Sequence, residues 1–287
     1  MKLRTFVLSA IIISFGVCTI IQAQVVGSGN TIILMQYSAD RVVLDADSRE
    51  GTPWGRRDDF CKIIQPAPRF FFFATGRAII FDRATRGEKF NAYTIAREAF
   101  HSLKRELRNE NAVALIGSYW GILMREKYEE SLVADPVGTV SGLANGQIVK
   151  GVFGGSVNNK LEIYMVFLMY AMPPEVAAPT VDVIVERVSE DDGIIKPFGD
   201  PAVVDLIREY LDGTTARASS AVTKANAAIK SIAVRNDERA GYFAKYAIEA
   251  ASEWVGDEST IAPPVDILVL HRNGSAKWIS RKAQCRQ

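Results

Sequence analysis

Four consecutive phenylalanines, Phe70, Phe71, Phe72 and Phe73, constrain this chain more than any other feature. They lie in a β-rich run, 69–75, just after a Pro66-Ala67-Pro68 break. Successive side chains of a strand point to opposite faces, so an unbroken apolar run calls for cover on both sides. The run therefore reads as a core strand with further layers above and below it.

The surrounding pattern supplies those layers. Strand-like runs occupy 31–37 and 41–46, separated by the turn residues Ser38-Ala39-Asp40, and a further strand is expected over 60–65. Residues 92–108 carry Ile95, Ala99, Phe100, Leu103 and Leu107 at helical spacing, and 111–132 form a longer, more apolar helix. The chain returns to strands after the Asn145-Gly146 turn, through the glycine-rich 151–155 and the clear strand 161–170. Weaker strands follow at 181–188 and 193–196. Helices are expected at 201–212, 219–233 and 236–255, the last with Ala240, Phe243, Ala247, Ala251 and Trp254 on one face. The end, 265–271, Asn273-Gly274 and 276–280, reads as a hairpin. Two stacked sheets with helices outside would bury this order of elements. The class expected from pattern alone is α+β.

Composition is that of an ordinary globular protein, 48% hydrophobic and 23% charged over 287 residues, with no linker-like window or repeat. One domain is expected. The first 23 residues differ: Lys2 and Arg4, an apolar stretch over 6–21, then Ala23 at a suitable cleavage point. This is the layout of a secretory signal peptide, short for a membrane span and without a charge cluster directly after it. The residues before Cys18 make a poor lipoprotein signal. The expected location is periplasmic or extracellular, with no stable membrane anchor. Loss of the leader lowers the formal net charge by two, from +1 to −1, so no electrostatic footprint for nucleic acid is expected. Cys61 and Cys285 remain. An oxidising compartment permits them to pair, and the sequence leaves the pairing open.

Much common chemistry lacks its residues. The two histidines, His101 and His271, have no nucleophile motif beside them, and a His/Cys zinc site is short of ligands. No phosphate loop or dinucleotide fingerprint is present, since Gly151-Val152-Phe153-Gly154-Gly155 has the wrong spacing and no following helix. No cofactor or metal is expected. A hydrolase whose base is not histidine remains.

The residues from Asn30 onward fit one. They read Asn30-Thr31-Ile32-Ile33-Leu34, then Asp45-Ala46-Asp47-Ser48-Arg49, then Cys61-Lys62-Ile63-Ile64, then Ala74-Thr75-Gly76. Thr31 to Asp47 is 16 residues, Asp47 to Lys62 is 15 and Lys62 to Gly76 is 14. Over about 31–80 this resembles the proteasome β-subunit family of N-terminal-nucleophile (Ntn) hydrolases, with the middle interval one residue short. The resemblance implies a four-layer αββα sandwich over 31–287, behind a short propeptide at 24–30. It implies Thr31 as the nucleophile exposed by self-cleavage and a strand-borne Lys62 keeping the site electropositive. Asp47 would orient that lysine, and the Gly76 N–H would face the oxyanion. A free N-terminal threonine carries its own base in its α-amino group, with a pKa near 8. The implied substrate is a peptide or a small amide, and homo-oligomer formation is open. Two segments depart from the family. Phe198-Gly199-Asp200-Pro201 replaces a Gly-Ser-Gly-Ser segment, and Ala262-Pro263-Pro264 replaces Ser-Gly-Gly, with Asp257 or Glu258 as the upstream acid. A non-catalytic binding or assembly protein on the same scaffold is the alternative.

Overall fold

The computed structural model describes residues 32–285, apart from 53–54, 59, 82–86, 136–138, 140–142, 144–145, 172–179, 191–194, 200, 232–237 and 256–260. The expected leader, the 24–30 segment and Thr31 lie outside the described residues.

The fold is mixed α+β. The elements are β1 (Ile32–Tyr37), β2 (Arg41–Ala46), β3 (Glu50–Thr52), β4 (Gly55–Arg57), β5 (Ile64–Ala67), β6 (Phe70–Gly76), β7 (Ile79–Phe81) and β8 (Glu88–Asn91). Helices α1 (Ala92–Ser102) and α2 (Ala112–Ala134) follow, then β9 (Gln147–Val157), β10 (Lys160–Ala171), β11 (Thr180–Arg187) and β12 (Ile195–Gly199). The chain continues through α3 (Pro201–Asp212), α4 (Ala216–Ser231) and α5 (Arg239–Val255) to the hairpin β13 (Asp266–His271) and β14 (Ala276–Ser280). One five-stranded sheet has the order β12-β1-β2-β13-β14 and a second the order β11-β10-β9-β6-β5, with every recorded pairing antiparallel.

Three apolar clusters hold these elements. Ile33, Met35 and Leu44 of the first sheet meet Phe71, Phe73, Val152 and Ile163 of the second. Ile32, Leu34 and Val43 face the other way, toward Ile207, Ala247 and Ile248 of α3 and α5. Phe70 and Phe72 turn from the first sheet toward Phe100, Ile116 and Trp120 of α1 and α2. The four phenylalanines thus split by strand alternation, two into each cluster, and each fully buried ring contributes about 1.5–3 kcal/mol. Polar ties link the sheets as well: Tyr37 Oη donates to the Leu161 carbonyl at 3.0 Å, and Trp278 Nε1 donates to Gln65 Oε1 at 3.1 Å.

Several expectations are corrected. The strand expected over 60–65 begins only at Ile64, because residues 60–62 are drawn into other bonds described below. It then runs through Pro66 and Ala67, where a break was expected, and the turn falls at Pro68-Arg69. Strand β5 is an edge, where a proline without an N–H is tolerated. The helix expected over 92–108 ends at Ser102 and tightens into a 3₁₀ turn over Lys104–Arg108. The small hairpins β3–β4 and β7–β8 were not anticipated.

Candidate functional site

Strands β1 and β2 bring the first site residues together. Ile33 pairs with Ala46, so Asp47 emerges opposite Ile32 at the strand end. The Asp47 N–H donates to the Ile32 carbonyl at 3.3 Å, and the Ile32 N–H returns to Asp47 Oδ1 at 2.9 Å. Lys62 Nζ reaches the same Oδ1 at 2.8 Å, with both side chains 0% exposed. The Arg49 N–H caps Oδ2 at 3.0 Å. Asp47 therefore receives two backbone donors and one ammonium.

Burial pushes the Asp47 carboxyl up, and the Lys62 ammonium and the two N–H donors pull against that rise. Such a pair survives burial only with near-complete hydrogen bonding, and removing one partner costs about 3–5 kcal/mol. Lys62 was expected on a strand. It lies instead in the irregular segment two residues ahead of β5.

A second tier of contacts holds that segment. The Ser48 N–H and Oγ both donate to the Ala262 carbonyl at 3.0 Å, and the Phe60 N–H donates to the Ser48 carbonyl at 3.2 Å. Cys61, next to Lys62, forms a disulfide with Cys285. Lys282 Nζ donates to the Phe60 carbonyl at 2.8 Å and pairs with Asp266 Oδ2 at 2.9 Å, with side chains 1% and 0% exposed. Asp266 Oδ1 accepts the Lys282 N–H at 2.8 Å. Because Asp266 is the register partner of Ala46, the two buried Lys–Asp pairs flank one residue of β2. The C-terminal segment thus straps the peptide that carries Lys62.

Gly76 closes β6 with φ +84, and a Cβ there would fall 2.8 Å from the Ile148 carbonyl oxygen. Only glycine fits this conformation and this close approach. Its backbone contacts run to β9, opposite Val149. Two further segments border the Ile32–Asp47 end of the first sheet. Gly199 pairs with Ile32, and Ala262, just before the Pro263–Pro264 peptide, is the acceptor for Ser48.

The structure brings Asp47 and Lys62 into contact at the residue that follows Thr31 and puts Gly76 on the other sheet. Thr31 itself, Asp200, Asp257 and Glu258 lie outside the described residues. Sequence reasoning missed the Lys282–Asp266 pair, the strap and a cation at Lys150. Among the described residues no group of three His, Cys, Asp or Glu is placed to hold a metal, and no helix is long and apolar enough to cross a membrane. No model of a known protein family and no curated protein matches this sequence.

Proposed function

We propose that the chain is an exported, proteasome-like threonine hydrolase, self-processed to expose Thr31, acting on peptides or small amides within a four-layer αββα sandwich of the Ntn type. One observation carries this reading: Asp47 Oδ1 holds both Lys62 Nζ and the N–H of Ile32, the residue directly after Thr31. A buried ammonium there raises the local positive potential, which favours an attacking hydroxyl oxygen. In the proposed reaction Thr31 Oγ adds to the substrate carbonyl while its proton passes to the α-amino group, directly or through water. The C–N bond then breaks as the amine leaves with that proton. Water hydrolyses the resulting ester and restores the hydroxyl. The Gly76 N–H is the proposed oxyanion donor. The two layers of helices about the paired sheets support the sandwich reading.

The second reading, a binding or assembly protein on the same scaffold, is favoured by Phe198-Gly199-Asp200-Pro201, which lacks the serine that assists the family's nucleophile.

The test is the intact mass and N-terminal sequence of the purified protein, with peptide hydrolysis measured on the same sample. Wild type is expected to begin at Thr31. Thr31→Ala is expected to lose both the cut and turnover, and Thr31→Ser to keep part of each. A Thr31→Ala protein that still hydrolyses places the nucleophile elsewhere. A folded wild type with neither cut nor turnover supports the binding protein instead.

A further inference from the structure

On β9, Val152 and Gly154 face the first sheet, Val152 within the inter-sheet cluster and Gly154 against Phe71. By strand alternation Lys150 belongs to that same face. Its Nζ lies 5.0 Å from the centre of the Phe167 ring and 5.5 Å from that of Phe198. Phe167 is its register partner on β10, and Phe198 comes from β12 of the opposite sheet. The ammonium is thus held between rings from both sheets.

Among the described residues it has no hydrogen bond and no ion pair. Glu186 on β11 acts on it only through space, and burial lowers its pKa. Cation–π contacts stabilise such a group by about 0.5–2 kcal/mol, while a partly desolvated cation still lacks an anion.

The position also adjoins the proposed site. On β6 the register partner of Lys150 is Thr75, the residue before Gly76. Phe198 pairs with Ile33, one residue from the Ile32 N–H that Asp47 holds.

We propose that Lys150 is a binding residue for a carboxylate on the substrate, supplied by an acidic side chain or by a free C-terminus close to the scissile bond. This deepens the hydrolase reading and rests on it for the identity of the ligand as substrate. Phe167 and Phe198 hold the ammonium at the end of the inter-sheet space, and the arriving carboxylate completes its coordination.

The experiment uses the wild-type protein purified after export and three closely matched peptides. The first is blocked at both ends and carries a glutamate, the second is its glutamine isostere, and the third is the glutamine peptide with a free C-terminal carboxylate. Binding is measured by calorimetry and cleavage by mass spectrometry. At least one carboxylate peptide is expected to bind roughly tenfold to hundredfold more tightly than the blocked glutamine peptide, the range for a hydrogen bond to a charged group. Which one does so identifies the carboxylate. Lys150→Met is expected to erase the difference and Lys150→Arg to keep part of it. The three-way comparison on wild type needs no variant, so a misfolded Lys150→Met leaves the proposal testable. Equal binding of all three, or a preference that persists in folded Lys150→Met, overturns it. Cleavage without preference overturns the Lys150 site and leaves the hydrolase standing. A Lys150-dependent preference without cleavage of any peptide supports the anion site and counts against the hydrolase.

Discussion

Asp45 and Asp47 are two residues apart, both buried, and chemically opposite. Asp47 has an ammonium and two N–H donors, whereas Asp45 Oδ1 has no hydrogen-bond partner among the described residues. Asp45 sits beneath α5, where a Cβ at Gly241 would lie 3.8 Å from Oδ1. Burial pushes the Asp45 carboxyl well above the usual range, and the charge of Lys245 opposes this only weakly. Lys245 is itself paired with Glu249 at 3.6 Å. The sign of the consequence follows from linkage. A carboxyl whose folded pKa is raised favours the folded state fully below its unfolded pKa, near 4, and that contribution is lost as pH rises toward the folded value. Asp45→Asn should therefore gain stability relative to wild type as pH rises from about 4 upward. Denaturant midpoints at several pH values check this, and a gap that stays constant with pH would refute it.

At the scale of the element, β6 and β9 show how side-chain size sets sheet packing. A Cβ at Gly154 would fall 2.0 Å from Phe71 Cζ, and Phe71 is fully buried between the sheets. The ring occupies the space that the glycine leaves, so Gly154→Ala is expected to cost about 1–3 kcal/mol, the usual penalty for overpacking. Urea denaturation would measure it, and an unchanged midpoint would mean that the sheets separate more easily than this contact implies. Elements of this kind were legible in the sequence because they obey a period. The helix that carries Trp254 and the closing hairpin announce themselves through spacing, and the Phe70–Phe73 run through its unbroken apolar character. Strands β3, β4, β7 and β8 are three or four residues long, too short to carry a period above background. The Asp47–Lys62 pair was legible from residue spacing compared with a known family. Lys150 was not, because a lysine within a strand reads as a wet position, and its half-buried place beside the opposite sheet's Phe198 leaves no trace in the spacing. The Lys282–Asp266 pair was hidden for a related reason: neither residue stands near Phe60 in the chain.

For the molecule as a whole, the Cys61–Cys285 bond joins residues 224 positions apart. Cross-links over long loops restrict the unfolded chain most, and losing one costs about 2–5 kcal/mol. The double variant Cys61→Ser, Cys285→Ser should unfold at lower denaturant than wild type, with an unfolding free energy smaller by about 2–5 kcal/mol. Reductant should lower the wild-type midpoint and leave the double variant unmoved. Equal midpoints for the two proteins would show that Lys282 and Asp266 hold the strap without the disulfide. The strap also orders events in time. Strands β1 and β2 are made early, and Asp47 and Ile32 can meet as soon as they pair. The peptide carrying Lys62 acquires its last anchors only when residues 266–285 arrive. A chain that emerges in sequence order thus pairs Asp47 with Ile32 long before the peptide beside them can be tied down, since the partner cysteine follows Cys61 by 224 positions.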